Sequence, residues 1–274
     1  ISLGGSFGQS TIGRVSANGG TVAITGTFDL GGGSFQLSGA TGSWTLNGGT
    51  IRNGTLVETG GAVLGIASNT NNRLQSVAVQ GDLLLSQSSA ALRIVGGLNV
   101  SGLVRLTGSS ASLAFEGTQS IQAGTVSLEG SNSVLEMQTA GTLTVLSGVA
   151  IRGGANAVIG GSRFYGQPMT LVNQGTIAAD VGGNLRVQAA GASILGSVTI
   201  QGTSSVTVDG SYTVNQSIAV ATGQALTLNG TWTNQATITS SGTLTTGGTW
   251  SNPSSIVANA GAVNLGGSFT PTSL

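Results

Sequence analysis

Apolar and polar residues alternate along this chain only in short runs, such as TVAITGTF, VRLTG, LTLNGTW and AVNLGG, and Gly, Asn or Asp closes each run. Alternation of period two bounded by such residues predicts short strands separated by turns. No segment of ten or more residues carries a helical period.

The runs themselves recur. Residues 223–269 read GQALTLNGTWTNQATITSS, GTLTTGGTWSNPSSIVANA and GAVNLGGSF, opening on Gly223, Gly242 and Gly261. Trp232, Trp250 and Phe269 fall in one column, Ile238 and Ile256 in another. The pattern of Gly, polar, aliphatic, polar, aliphatic extends back through Gly202, Gly183, Gly141, Gly124, Gly102, Gly81, Gly61, Gly42 and Gly20, with Gly161 filling the remaining gap poorly. Successive anchors lie roughly 17 to 22 residues apart, a period that is one turn of a solenoid, whose apolar residues are buried only by stacking on the neighbouring turns. The predicted fold is therefore all-β: one domain over 1–274, a parallel β-helix of about 13 coils of 17–22 residues, right-handed as parallel crossovers usually are. Stacked near 4.8 Å, these coils give a rod on the order of 60 Å long. The rival is an all-β sandwich, which gives no reason for one column to recur at this period.

Within this frame several residues acquire roles. Asn173, Asn215, Asn234 and Asn252 each precede an isoleucine by three or four positions, which predicts a structural asparagine ladder at one corner. Trp232, Trp250 and Phe269 are expected to stack in the core. Arg52, Arg73, Arg93, Glu116, Glu136 and Arg152 sit roughly 10 to 14 residues after their anchors, which predicts one charged line along the rod. A solvated edge that discourages lateral sheet pairing is the plain explanation of such a line, and a ligand groove the alternative. Residues 160–169, GGSRFYGQPM, break the pattern and predict a protruding loop; a length variation at a coil corner is the plain explanation of it, and a functional loop with Arg163, Phe164 and Tyr165 as contact residues the alternative. SNTNNR, residues 68–73, is a second expected loop. The two ends, ISLGGSF and VNLGGSF, share one phase of the repeat and show neither cap nor helix, so the coils are expected to continue or to abut further copies.

Composition narrows the chemistry. Charged residues are 6% and hydrophobic ones 39%, with 48 glycines, a balance that favours folding over disorder. Eight cations, all arginine, match eight acids, so there is no basic footprint for nucleic acid. His and Cys are absent, which removes disulfides, thiolate or imidazole metal sites and histidine acid/base catalysis; no cofactor is expected. No apolar run reaches the roughly 20 residues of a membrane span. GGSFG at 4–8 matches a nucleophile elbow, but it is the repeat's own GGSF and has no histidine to complete a triad. Glu116 and Glu136, on successive coils, are the nearest approach to a carboxylate pair. Calcium-binding nonapeptides are missing. The Thr-x-Thr pairs fall on different faces, only Thr142/Thr144 and Thr243/Thr245 sharing one, so no flat ice-binding array is expected. Sequons at Asn53, Asn99, Asn215 and Asn229 are what Asn, Ser and Thr abundance gives by chance.

The phrases GTWTNQATITSSGTLTTGGTW, NQGTIAADVGGNLRV and GGTIRNGTL resemble the repeats of exported bacterial β-helix proteins: autotransporter passengers, filamentous-haemagglutinin-like exoproteins and surface β-strand-repeat proteins. The resemblance implies secretion to the cell surface or extracellular matrix and a role in adhesion or fibre building. The leading expectation is a non-catalytic structural or adhesive rod whose partners are further coils or copies of itself and surface carbohydrate. A carbohydrate-active β-helix enzyme or carbohydrate-binding module is the second, and an ice-binding solenoid the third.

Overall fold

The fold is a three-sided β-solenoid. In the computed structural model, which describes residues 1–13, 15–17 and 20–269, strands pair in parallel with strands about one repeat further on, from Val22↔Trp44 near the start to Leu244↔Val263 near the end. Face 1 begins with Ser2–Leu3, Val22–Ile24 and Trp44–Leu46. Face 2 runs through thirteen strands, from Ser6–Gly8 and Thr27–Asp29 to Ala262–Leu265, so the chain makes about twelve turns. Face 3 starts at Ser34–Leu37 and ends at Thr249–Ser251. Some strands turn a corner without ending: Thr50–Glu58 pairs on face 2 through 50–52 and on face 3 through 55–58, bending at Asn53, whose φ is 58°.

Turn length varies more than the glycine spacing predicted. The turn from Thr227 to its register partner Thr245 is short, that from Thr50 to Arg73 is longer, and that from Val158 to Arg186 is the longest of the three. This last turn contains the 160–168 segment, which leaves the winding between Ala157–Ile159 on face 2 and Met169–Asn173 on face 3. A helical turn, Gln9–Ile12, also departs from the all-strand expectation. It takes the third side of the first coil, where Ile12 and Val15 pack against the core. No helix of the described residues is long and apolar enough to cross a membrane.

Alternation along each strand sends every second residue inward, and parallel register then sets like residue on like. Val22, Trp44 and Leu64 form one buried column on face 1, and Ile24, Leu46 and Ile66 the next. On face 3 the column is aromatic. Ring centroids of Tyr212 and Trp232 lie 6.2 Å apart, Trp232 and Trp250 5.1 Å, and Trp250 and Phe269 4.7 Å. The first two pairs are nearly parallel, at 3° and 9°, because one coil rise sets each ring a stacking distance above the last. Their indole N–H groups stay satisfied: Trp232 donates to the Gly247 carbonyl at 3.2 Å and Trp250 to that of Gly266 at 2.8 Å.

Glycine is required where backbones touch at a corner. A Cβ on Gly230 would overlap the Gly210 carbonyl oxygen, and one on Gly248 would overlap that of Gly230; both residues have positive φ, 93° and 73°. Left-handed backbone and steric overlap each cost on the order of 1–2 kcal/mol for a residue with a side chain. Gly230→Ala is therefore expected to lower unfolding free energy by at least about 2 kcal/mol. Gly39→Ala, where nothing lies within 4 Å of an added Cβ, should be nearly neutral; urea titration of both variants checks the contrast.

Candidate functional site

Charged residues are few here, and the solenoid ties nearly all of those described to backbone or to each other. Of the seven described arginines, six pair with carboxylates. Four pairs follow one rule: each arginine reaches the acid two residues beyond its register partner on the next coil. Arg105 is in register with Ser127 and binds Glu129 at 2.6 Å; Arg152 is in register with Ala178 and binds Asp180 at 2.8 Å. Arg186 with Asp209 at 2.6 Å and Arg93 with Glu116 at 3.5 Å repeat the geometry. Diagonal neighbours in a sheet lie within reach of a long side chain that leans along its strand. Arg52 binds Asp29 in direct register at 2.8 Å. The remaining acids face backbone amides: Glu58 accepts from Leu64 and Asp82, and Asp82 from Leu103.

The expected charged line is accordingly divided. Arg73 and Arg93 are register neighbours on face 2, Glu136 stands in the same column beyond Ala114, and Arg52 and Glu116 lie on the same face in the adjacent outward column. Arg152 does not belong to it. Its column on face 1 contains Ser127 and Ala178, and counting from the nearest glycine hid this because corner lengths vary. The signal that sequence reading missed was an arginine followed by an acid one coil plus two positions later, as in Arg93/Glu116 and Arg105/Glu129.

The asparagines also divide. Asn234 and Asn252 are buried and stacked, the Asn234 amide donating to Asn252 Oδ1 at 2.7 Å. Asn173 occupies the corresponding buried position, donating to the Leu195 and Ser197 carbonyls, but the residue one coil before it is Val145. Asn215 is corrected: Val214 is in register with Asn234, so Asn215 falls one position later and is exposed, accepting from the Gly196 amide at 2.9 Å. Asn72, inside the expected 68–73 loop, is fully buried; it donates to the Ala67 and Ala91 carbonyls and accepts from the Gly48 amide. The Thr-x-Thr pairs are redistributed too: Thr142/Thr144 and Thr231/Thr233 are on face 3 and Thr243/Thr245 on face 2.

The most developed local arrangement is the 160–168 loop. It folds back over face 2 and crosses several coils to do so. Tyr165 donates its hydroxyl to the Thr70 carbonyl at 2.8 Å, and Arg163 reaches Ser89 Oγ at 3.3 Å. Desolvation beneath the loop raises the Tyr165 pKa above the ordinary phenol value. Under the loop, outward positions become buried, among them Ser112, Ala114 and Glu136. The Glu136 carboxylate takes a short hydrogen bond from Ser112 Oγ and the backbone amides of Arg163, Phe164, Tyr165 and Gly166 at 2.9 to 3.3 Å. Successive amides turned to one point form an anion nest, and the protein's own carboxylate fills it. The returning leg adds an antiparallel bridge, Gln167 donating to Met137 O at 3.1 Å.

Beside the loop, Glu116 accepts a bidentate pair from Arg73 at 3.0 and 2.8 Å and lies 3.5 Å from Arg93. With its nitrogen turned to Glu116, the Gln138 amide donates to it at 2.9 Å and accepts from Arg93 at 3.3 Å. The two carboxylates therefore do not face each other across an open cleft. Between the loop and the preceding corners is a cavity of about 290 Å³ lined by Ser68, Asn69, Thr70, Ser89 and Phe164. Among the described residues no cluster of three or more acids has a metal-binding arrangement. Comparison with known proteins finds no matching family model, no matching characterised protein and no matching solved structure.

Glu136→Ala would leave the four loop amides and Ser112 without their acceptor. Hydrogen bonds to charged groups are worth ~1.5–3 kcal/mol each, so the loop should detach while the coils stay wound: amides 163–166 are expected to lose hydrogen-exchange protection and trypsin to cut after Arg163. Glu129 gives a pH signature. Its hydrogen bond from Arg105 holds its pKa below the ordinary carboxylate value, so its contribution is present above pH 4.5 and is lost as pH falls through the depressed value. Glu129→Gln should cost about 0.5 kcal/mol at pH 7, and urea titrations should show the gap closing in stronger acid.

Proposed function

We propose that this chain is a non-catalytic structural rod with an adhesive role, a segment of a fibre at the bacterial cell surface or in the extracellular matrix. The observation that carries this reading is the use of its few charges: all eight carboxylates face arginines, amides or hydroxyls of the scaffold. Enzymatic acid/base work needs a carboxylate with access to substrate. Glu136 is enclosed and Glu116 is held by two arginines, which weighs against the carbohydrate-active enzyme. Scattered threonines weigh against ice binding. A parallel stack of about twelve turns suits transmission of load along one axis, since most turns bond the next through three sides. Parallel stacking in register suits growth by a further coil, from the same chain or another copy. Export agrees with the missing cysteines and with the repeat's likeness to surface β-helix proteins.

Two measurements test this reading. Antibody against the chain should label the outside of intact source cells, and a cytoplasmic location would overturn it. Incubation of the full chain with acidic and neutral polysaccharides should yield no new reducing ends. Cleavage that Glu116→Gln abolishes would replace the rod with an enzyme.

A further inference from the structure

The loop holds the chain's unassigned recognition chemistry. Among the described residues Arg163 is the one arginine without a carboxylate partner. Its side chain makes a single hydrogen bond, from Nη2 to Ser89 Oγ at 3.3 Å, and its Cζ stands 5.4 Å from the centre of the Phe164 ring. Phe164 is in turn the one exposed aromatic side chain among the described residues, 37% accessible, where most of the other rings pack against the core and Tyr165 lies half-buried against the scaffold. The two sit together at the tip of a segment fixed by Glu136 below and by Tyr165 on Thr70 at the side. A loop held in this way has little ordering left to lose on binding, which is the condition for a preorganised site.

The space it encloses is small and polar. At about 290 Å³ it stands at the lower end of the ~300–1,000 Å³ range of small-ligand sites, a size for one sugar ring rather than a peptide segment. Its lining offers the Phe164 ring as an apolar wall and the Ser68 and Ser89 hydroxyls as partners for hydroxyl groups; Ser89 Oγ already accepts from Arg163 and keeps its O–H to donate, while the Asn69 amide is held by Asn47 and the Asn71 amide. Arg163 is not part of the lining but stands at its edge, over the Phe164 ring and bonded to Ser89 Oγ; its remaining guanidinium N–H groups suit a carboxylate, which it can grip with two parallel hydrogen bonds. A free anion without a ring would leave Phe164 unused, and the nest beneath the loop is closed to it because Glu136 occupies that position.

We propose that the cleft between the 160–168 loop and the corners at 68–70 and 89 binds a carboxylated pyranose residue of an acidic polysaccharide. The sugar ring lies on the face of Phe164 away from Arg163, the hydroxyls meet Ser68 and Ser89, and the carboxylate reaches Arg163 at the edge of the cleft. This goes beyond the rod reading and does not depend on it, since a rod with an empty cleft would still be a rod. It would give the rod a ligand, and repeated rods in one fibre would turn a weak single-ring site into firm attachment through multivalency.

The test is calorimetric titration of the full chain with tetragalacturonate, against the neutral β-1,4-galactotetraose. A dissociation constant on the order of 1 mM is expected for the acidic probe, as befits a one-ring contact. Phe164→Ala and Arg163→Gln should each weaken it at least about tenfold, with far-UV circular dichroism and the thermal midpoint unchanged. Phe164→Tyr should keep it. The neutral probe should bind at least about tenfold more weakly. No heat from the acidic probe at about 10 mM, or binding that neither substitution alters, would overturn the site. Equal affinity for both probes, with Arg163→Gln silent, would overturn its acidic specificity. None of these results bears on cell-surface location or on polysaccharide cleavage, so the cleft and the rod can fail separately.

Discussion

The structure depends on one constraint: each turn of chain lies one strand spacing above the last, in parallel and in register. Hydrogen bonds between turns fix that spacing near 4.8 Å, and everything else must fit inside it. Aromatic rings meet the constraint well, because their stacking distance is close to the coil rise; this is why Trp232 and Trp250 lie 5.1 Å apart at an angle of only 9°. Corner backbones meet it only without a Cβ, which is why glycines stack on glycines at 210, 230 and 248. The same spacing lets a buried amide bond the one above it, as Asn234 does with Asn252. A solenoid thus asks of each residue what its neighbour one turn away can accept, and a long-range repeat in sequence is the result.

That dependence explains what could be read from the sequence. Fold class, coil number and the aromatic column were legible, because each is a property of repetition and survives small errors of register. The faces of individual polar residues were not. Alternation has period two, so a corner longer or shorter by one residue moves every following side chain to the opposite side. Asn215 missed its column by one position in this way, and Arg152 was set on the wrong face because offsets were measured from glycines that do not all occupy the same corner. Counting from a strand partner rather than from a glycine would have corrected both. The helical turn Gln9–Ile12 had no periodic signal, being a single turn.

Charge placement shows the same logic from the other side. Isolated surface ion pairs contribute little, typically below about 1 kcal/mol, and this chain has few charges to use. Four of its pairs nevertheless adopt one diagonal geometry between adjacent coils. Direct register also serves, as Arg52 shows with Asp29 at 2.8 Å, but the diagonal is the more frequent arrangement here. The two-residue offset lets the guanidinium extend along the strand direction and meet a carboxylate end on. Each pair thereby ties one turn to the next on an outward face, where the hydrophobic core does not reach.

The 160–168 loop is where the repeat gives way, and the energetics explain why it can. A protruding loop on a regular surface would leave its amides to water and its tip free to move. Here the scaffold supplies one carboxylate, Glu136, which takes the place of four separate backbone partners. Burying that charge would be unfavourable alone, but multiple charge-assisted hydrogen bonds offset the loss of hydration. The result is a segment tied to the coils beneath it, with Arg163 and Phe164 held at its outer edge. Elsewhere the solenoid places its arginines against acids and most of its aromatic rings against the core, so the loop is the part of the described surface where both kinds of side chain stand together facing solvent.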